Sequence, residues 1–140
     1  MNNDNLKQRT RKFALDVIKL VEKLPRDMVS EVLGKQLLRS GTSVAANYRS
    51  ATRAKSSADF INKMSIVEEE ADESVLWVDL LEASNRLKSD AAQPMMKEAG
   101  ELTAMAIASI RTARRTAVES KTSVRTPTVP RSAFRAPRSP

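Results

Sequence analysis

The fold is decided by the stretch FINKMSIVEEEADESVLWVDLL, which runs from Phe60 to Leu81. A set of its apolar and small residues steps alternately by four and three positions: Phe60, Met64, Val67, Ala71, Ser74, Val78 and Leu81. This heptad-like spacing is typical of a long helix whose narrow seam packs against neighbouring helices. Ser56, followed three residues later by Asp59, forms a capping-box arrangement at the helix start. We therefore predict a helix over 57–88.

Three other segments carry apolar stripes with helical periodicity. The first is predicted over 5–24, and Pro25 ends it because the residue before a proline avoids the α conformation. The second is predicted over 28–55, with Asp27 as its N-cap. The last is predicted over 92–118, with a proline in its first turn, where proline is tolerated.

Four amphipathic helices joined by short loops favour one architecture. It is an antiparallel up-down-up-down four-helix bundle, the all-α fold that we predict for residues 1–118. No alternating strand pattern competes with it. A chain of 140 residues supports one hydrophobic core and is too short for a second independent one.

Small residues interrupt the middle of the second helix at Ser40, Gly41 and Ser43. A glycine inside a helix costs up to about 1 kcal/mol relative to alanine. Small residues are useful where another backbone must approach closely, and this is the interpretation that we favour. The alternative is a break in the helix at Gly41.

Composition argues against most enzyme classes. The chain contains no Cys and no His, so it lacks a thiol nucleophile, a Cys-based zinc site and the commonest general base. Only three residues are Gly, too few for glycine-rich phosphate loops. We predict a protein that is not an enzyme and that needs no cofactor or metal. A formal charge of +7 indicates polyanions as candidate partners.

The segment 119–140 differs from the rest of the chain. It carries five basic residues, one acidic residue and four of the six prolines. Such a composition cannot bury enough apolar surface to offset the entropy cost of ordering, so we expect a disordered basic tail. Two interpretations stay open for it: a solubilising extension, or a segment that binds polyanions.

No targeting or membrane segment is evident. The N-terminus is polar and lacks the basic start and apolar run of a secretory signal. The longest strongly apolar stretch, 102–110, is far shorter than the roughly 20 residues that a helix needs to cross a bilayer. We expect a cytoplasmic protein that does not contact a membrane.

Basic residues cluster where three helices should meet. They lie at the start of the first helix, at the end of the second and at the end of the fourth, which an up-down bundle places at one end. We predict that they bind nucleic acid through its phosphates, without sequence specificity. They are Lys7, Arg9, Arg11, Lys12, Arg49, Arg53, Lys55, Arg111, Arg114 and Arg115. Part of this placement also has a structural explanation, because cations near helix C-termini complement the macrodipole.

The acidic run 68–73 has several interpretations. Glu69 and Glu73 lie one helical turn apart and could share a metal. However, four-helix di-metal sites use Glu-x-x-His motifs, and the chain has no His. We favour a solvated acidic face, or carboxylates paired with arginines.

Trp77 falls beside the seam of the third helix rather than in it. It is either a residue at the edge of the core or an anchor in a subunit interface, where Trp is enriched. Leu76 and Leu80 favour the interface, because the three apolar side chains together would otherwise form an exposed patch.

Two groups of residues carry a family resemblance. The stretch QLLRSGTSVAANYR (36–49) and the pattern Arg53-x-Lys55-Ser56 with Asp59-Phe60 resemble the bacterial four-helix-bundle proteins named after 23S rRNA intervening sequences. IVEEEADES (66–74), ELTA (101–104) and SIRTAR (109–114) fit one branch of that family. Many of its members carry Glu-Gly soon after the Ala-Asn pair, where this chain has Arg49-Ser50-Ala51-Thr52.

The resemblance implies an all-α bundle that assembles as a ring-like homopentamer. It also implies kinship with the accessory proteins of diversity-generating retroelements, basic pentamers that bind a reverse transcriptase and nucleic acid. On this basis we assign a set of residues to the oligomer interface or to helix packing. They are Arg39, Ser40, Ser43, Asn47, Trp77 and Leu80.

Three functions compete at this stage. We favour a non-enzymatic homo-oligomer that binds RNA or DNA through the basic end and tail, as an accessory to a reverse transcriptase. The alternative is a protein-interaction scaffold that uses the acidic face of the third helix and binds no nucleic acid. A carboxylate metalloenzyme is the last candidate.

Overall fold

The computed structural model describes residues 3–124, and the side chains of residues 5–120. They form four helices: α1 (Asn3–Glu22), α2 (Met28–Thr52), α3 (Ser57–Ala83) and α4 (Ser89–Val124). These residues contain no strand, and the predicted all-α fold is confirmed.

Neighbouring helices run antiparallel, as two contacts between the α2 and α3 sides of the bundle show. Just before α2 begins, Asp27 accepts a hydrogen bond from Arg86, which follows the end of α3, at 3.0 Å. Further along α2, Arg39 binds Glu73 at 2.7 Å. Each helix packs on the next in chain order, and the contact between α1 and α4 is the least extensive. The fold is thus an up-down-up-down bundle with an open seam between α1 and α4.

The predicted seam of α3 forms the centre of the core. All of its positions from Met64 to Leu81 are buried, and Phe60 is partly buried at its start. They share one core cluster with residues of the other three helices, which include Phe13, Val17, Leu37, Val44, Leu102 and Ala106. Burying each large apolar side chain contributes about 1.5–3 kcal/mol, so this seam is a main source of the bundle's stability.

Two of the predicted helix starts are capped as the sequence indicates. The side chain of Asp27 accepts a hydrogen bond from the backbone N–H of Ser30 at 2.8 Å. The side chain of Ser56 accepts one from the backbone N–H of Asp59 at 3.0 Å. Each bond satisfies one of the N–H groups that a helix start leaves unpaired.

Helix α3 ends at Ala83, earlier than the predicted residue 88. Asn85 takes the left-handed conformation, with φ 63°. The N–H of Arg86 then bonds the carbonyl of Leu81 at 2.9 Å, and the N–H of Asn85 bonds the carbonyl of Glu82 at 3.0 Å. This pair of bonds is a Schellman motif. Its left-handed position is most often occupied by glycine and sometimes by asparagine, as here.

Helix α4 is longer than predicted. The sequence predicts a tail from residue 119, whereas α4 starts at Ser89 and continues to Val124. Residues 119–124 contain neither Pro nor Gly, so nothing in their backbone chemistry stops the helix. The rest of the predicted tail, 125–140, lies outside the described residues. Helices α1 and α2 end at Glu22 and Thr52, slightly before their predicted ends.

Helix α2 runs without a break through its small residues. A Cβ atom built on Gly41 would lie 2.8 Å from Cγ2 of Val17 on α1, which is closer than real Cβ contacts. The glycine is therefore required by the close approach of the two helices. On the other side of α2, the hydroxyls of Ser40 and Ser74 are hydrogen-bonded at 2.7 Å inside the core.

All four helices have the length of a membrane span, but their composition is too polar: none of the described helices could cross a bilayer.

Candidate nucleic-acid interface

The basic end of the bundle is built where α2 turns into α3. A cleft of about 820 Å³ lies here between the end of α2, the start of α3 and the later turns of α4. Lys55 lines it from the turn, Ser57 from the start of α3, and Thr112 and Thr116 from α4. The cations at the end of α2 and those on α4 are thereby brought to the same level of the bundle.

Six of the twelve residues that line the cleft carry a hydroxyl group. Among the described residues, the hydroxyl of Ser56 caps α3 and that of Thr52 donates to the carbonyl of Arg49 at 2.7 Å. The hydroxyls of Ser57 and Thr112, which also line the cleft, have no hydrogen-bond partner among the described residues. Hydroxyl and ammonium groups are the donors that proteins commonly offer to phosphate oxygens.

Three arginines lie on the turns of α4 that flank the cleft. Arg111, Arg114 and Arg115 are all exposed, and no carboxylate among the described side chains pairs with them. They do not line the cleft itself, because they project from other sides of α4. Arg49 and Arg53, at the end of α2, are exposed and lack an ion pair within the same described range.

The basic residues of α1 lie further along the bundle axis. Arg9 contacts Glu98, Glu101 and Met105 of α4, whereas the cleft lies beside 108–116. At 1.5 Å per residue, this offset is on the order of 10–15 Å. Lys7 and Arg11 are exposed and have no ion pair among the described side chains. The three predicted clusters thus share one half of the molecule, but α1 is set back from the other two.

Arg9 is engaged within the subunit. Its Nη2 atom donates to Glu98 at 2.6 Å and to Glu101 at 2.8 Å, and its Nε atom donates to Glu98 at 3.1 Å. These bonds, led by the one to Glu98, raise the pKa of Arg9. The network joins α1 to α4 where the two helices are least closely packed. The sequence predicts that Arg9 binds phosphate. In the structure its guanidinium group instead binds two glutamates of α4 and so connects α1 to α4.

Lys12 also has an intramolecular partner, although a weaker one. Its ammonium group bonds Asp16 one turn later at 2.7 Å, and this bond raises the pKa of Lys12. The lysine side chain is 77% exposed, so water screens the pair. Of the ten predicted phosphate-binding residues, eight therefore remain exposed cations without an ion-pair partner among the described side chains.

The residues assigned to the oligomer interface or helix packing divide into two groups. Ser40 lies inside the core against Ser74, and Asn47 donates to the carbonyl of Ser43 at 3.0 Å and to its hydroxyl at 2.9 Å. The Ser40–Ser74 contact joins α2 to α3 within one subunit, whereas the Asn47 contacts with Ser43 lie inside α2 itself. Arg39 lies at the surface, where it bridges α2 to α3.

Arg39 holds part of the acidic run. It donates to Glu70 at 2.9 Å and to Glu73 at 2.7 Å, and the bond to Glu73 is the main reason that the pKa of Arg39 is raised. Glu69 and Asp72 are exposed and have no such partner among the described residues. Within residues 5–120, no group of three or more acidic side chains is arranged to hold a metal ion.

Trp77 and Leu80 belong to a group of apolar residues on the neighbouring helices α2 and α3, which we call the α2–α3 ridge and define by Val29, Val32, Leu76, Trp77 and Leu80. Val32 is 53% exposed, Leu76 48%, Val29 41% and Leu80 38%. Trp77 packs its ring against the edge of the core, and its indole N–H is buried without a hydrogen-bond partner among the described residues. The structure places Trp77 at the edge of the core, and its role as an anchor in a subunit interface stays a prediction.

Comparison with known proteins identifies the family. A family model described as 23S rRNA-intervening sequence protein matches residues 2–108. The chain belongs to this family. A solved structure from the S23 ribosomal protein family of Bacteroides thetaiotaomicron VPI-5482, described as a protein with unknown function, is 33% identical to it. The similarity has a TM-score of 0.74 and covers 79% of this chain and 99% of the other. No curated protein matches the chain.

Membership of the 23S rRNA-intervening sequence protein family confirms the resemblance that the motifs indicate. The match ends near residue 108, so it excludes the arginines of α4 and the segment beyond them. The family description carries no catalytic activity.

The sequence does not predict two features of the surface. One is the link from Arg9 to Glu98 and Glu101. The only hint of it in the sequence is that these two glutamates are three residues apart on α4, so that they share one face of the helix. The other is a groove of about 600 Å³ along the open seam between α1 and α4. Its lining includes Phe13 and Met95, which also belong to the buried core cluster.

Proposed function

We propose that this protein is a non-enzymatic homo-oligomer that binds nucleic acid through its basic end. The observation that carries the proposal is the set of eight exposed cations without ion-pair partners among the described side chains. They are Lys7, Arg11, Arg49, Arg53, Lys55, Arg111, Arg114 and Arg115. A phosphate backbone supplies the negative charge that these groups lack within the subunit.

The expected binding is electrostatic and independent of sequence. Lysine and arginine side chains contact phosphate oxygens, which carry no sequence information. Tyr48, the single tyrosine, and Phe60 are buried or half-buried in the bundle. Few aromatic faces are thus left to stack bases, so we expect RNA and DNA of different sequences to bind similarly.

Self-association strengthens this binding in the proposal. A ring repeats the basic end once per subunit, and several weak contacts on one polyanion raise the overall affinity. We propose a homopentamer, the assembly that the family resemblance implies. Four large apolar side chains of the α2–α3 ridge are exposed, and exposed apolar surface commonly marks interaction sites, which supports an interface between subunits.

A reverse transcriptase is the protein partner that the resemblance implies. In this proposal the ring brings the enzyme and its nucleic acid together and performs no chemistry of its own. The test is co-purification of this protein with a reverse transcriptase encoded beside its gene. Absence of a complex would remove the accessory role and leave nucleic-acid binding untouched.

Nucleic-acid binding is tested with two matched triple variants of the full chain. Arg53→Gln, Lys55→Gln and Arg111→Gln remove three charges at the basic end. Arg26→Gln, Lys35→Gln and Lys88→Gln remove three exposed charges near the other end. We expect the first variant to lose at least tenfold in affinity for a labelled RNA at low salt, and the second to lose much less. Equal losses would show that net charge, and not the basic end, governs binding.

The scaffold function is the second candidate because Glu69 and Asp72 are exposed on α3 and no ion pair among the described residues occupies them. Such a scaffold would bind a basic protein partner. Neutralising Arg111, Arg114 and Arg115 discriminates the two functions. A scaffold keeps its partner after this change, whereas a nucleic-acid-binding protein loses affinity.

A further inference from the structure

The cleft at the basic end differs in its chemistry from the cations around it. Among the described residues that line it, Lys55 alone is charged and none is acidic. The others are alanines and hydroxyl-bearing residues, together with the partly buried Phe60. By contrast, the groove between α1 and α4 is lined by Asp16, Asp90 and Glu98 as well as by basic residues. The cleft is therefore an almost neutral recess in a basic surface, and a polyanion meets no carboxylate in its lining.

Two exposed arginines are next in sequence to residues that line the cleft. Arg53 lies between Thr52 and Ala54, which both line it, and Arg115 directly precedes Thr116, which lines it from α4. Neither arginine has an ion pair among the described side chains. A nucleotide strand whose phosphates contact these arginines can therefore direct a base into the recess.

The size and the lining of the cleft suit a base. Its volume of about 820 Å³ lies within the range of about 300–1,000 Å³ that is typical of small-molecule sites. The ring of Phe60 offers an apolar surface to the face of a base. The hydroxyls of Ser57 and Thr112 have no partner among the described residues, and a hydroxyl group both donates and accepts hydrogen bonds. Such a lining can therefore bind the edge of any of the four bases.

Paired and unpaired bases differ in their access to such a recess. In a duplex the bases are stacked and paired inside the helix, and extruding one costs the energy of unstacking and unpairing. In a single strand the bases can be splayed out, stacked on aromatic side chains and hydrogen-bonded along their edges. The cleft is thus accessible to a single strand without that cost.

We infer that the cleft binds an unpaired base, so that this protein prefers single-stranded to double-stranded nucleic acid. The inference rests on the proposed nucleic-acid binding and names the form of nucleic acid that the basic end binds. Electrostatic attraction alone favours the opposite order, because a duplex has the higher charge density. A preference for the single strand therefore reports on the cleft and not on the net charge of the protein.

The first test compares an unstructured labelled RNA strand with the same strand paired to its complement. Both are titrated with the full chain at the same salt concentrations. We expect the single strand to bind about fivefold more tightly or better, because the duplex offers no free base to Phe60. A duplex that binds as tightly as the single strand would overturn the inference.

Filling the cleft tests its role without changing the charge. Ala108→Leu with Thr112→Leu places two larger side chains at exposed positions of the cleft lining on α4. Leucine is a good helix former, and circular dichroism checks that the helices are retained. We expect the affinity for the single strand to fall to that for the duplex, while the affinity for the duplex stays at the wild-type value. A variant that kept the full preference would show that the base does not enter the cleft.

The matched control is Ala104→Leu with Ser120→Leu. It adds two leucines at exposed positions of the same helix that do not line the cleft. This variant should keep the wild-type preference for the single strand. An equal loss in the control and in the filled variant would contradict a role specific to the cleft.

Photo-cross-linking locates the base directly. A strand that carries 5-iodouridine, a base analogue that reacts preferentially with aromatic side chains, should cross-link to Phe60, as mapped by mass spectrometry of the peptides. The cross-link should disappear in the filled variant, and cross-links found only outside the cleft lining would overturn the inference. Equal, salt-dependent binding of both forms contradicts this inference alone. Absence of binding to either form contradicts the proposed function as well.

Discussion

The guanidinium group of Arg9 forms a two-point pair with the carboxylate of Glu98, with N···O distances of 2.6 and 3.1 Å. The two residues lie 89 positions apart in the sequence, on the first and last helices. Planar two-point pairs are among the strongest charge-assisted hydrogen bonds. This pair fastens α1 to α4 across the seam where apolar packing is least extensive.

Arg9→Ala should therefore affect stability more than nucleic-acid binding. The arginine side chain is 30% exposed, so we expect the free energy of unfolding in urea to fall by about 1 kcal/mol. Lys12→Ala is the control, because its exposed pair with Asp16 spans one turn of the same helix. If Arg9→Ala kept the stability of the wild type but lost affinity for RNA, this prediction would be wrong and Arg9 would be a phosphate-binding residue.

Gly41→Ala tests the close approach of α1 and α2. The new methyl group would lie 2.8 Å from Val17, and overpacking of this kind typically costs about 1–3 kcal/mol, which exceeds the gain in helix propensity. Gly100→Ala is the matched control, because nothing lies within 4 Å of its Cβ position. It should stabilise the protein by up to about 1 kcal/mol. Thermal unfolding of both variants measures the difference, and a stabilised Gly41→Ala would contradict the packing.

The substitutions Trp77→Phe and Trp77→Ala distinguish the contribution of the Trp77 ring to stability from that of its N–H group. The N–H group is buried without a partner among the described residues, so its loss in Trp77→Phe should change the free energy of unfolding by less than about 1 kcal/mol. Trp77→Ala also removes the packing of the ring and should cost about 2 kcal/mol or more. If Trp77→Phe proved as destabilising as Trp77→Ala, the N–H group would have a partner that the packing does not reveal.

Asp27 should make stability depend on pH in the acid range. Its carboxylate accepts hydrogen bonds from the backbone N–H of Ser30, the larger effect, and from Arg86, and both lower the pKa of Asp27 from its usual 3.8. A carboxyl group whose pKa is lower in the folded state than in the unfolded state stabilises the fold when the pH is above its unfolded-state pKa. This stability is lost as the pH falls through the folded-state pKa. Asp27→Ala should therefore unfold at a lower temperature than the wild type at pH 7. The difference between them should shrink below about pH 4, and a pH-independent difference would contradict the assignment.

Much of the fold could be predicted because it rests on local chemistry and periodicity. The spacing from Met64 to Leu81 placed the core face of α3, and Asp27 and Ser56 marked two helix starts. Helix α3 ends earlier than predicted because Asn85 takes the left-handed conformation, which asparagine, unlike glycine, adopts only in some contexts. The composition of 119–140 predicts disorder, but no Pro or Gly before residue 125 stops the helix, so α4 extends beyond its predicted end.

The candidate site was less predictable, because its chemistry depends on pairing between distant residues. Helix topology correctly suggested that the ends of α2 and α4 lie together. The sequence could not show that Arg9 is bound by Glu98 and Glu101, since ion pairs across helices depend on rotation and register. The groove between α1 and α4 arises from unequal helix packing, for which periodicity carries no signal.

The central claim is that the basic end binds the phosphate backbone, and the affinity for a labelled single-stranded RNA as a function of salt tests it most directly. For the full-length wild type, we predict that the logarithm of the association constant falls linearly with the logarithm of salt concentration. The triple variant Arg53→Gln, Lys55→Gln and Arg111→Gln should reduce the slope by about 0.7 for each phosphate contact that it removes. No binding at low salt, or an affinity that does not change with salt, would contradict the account.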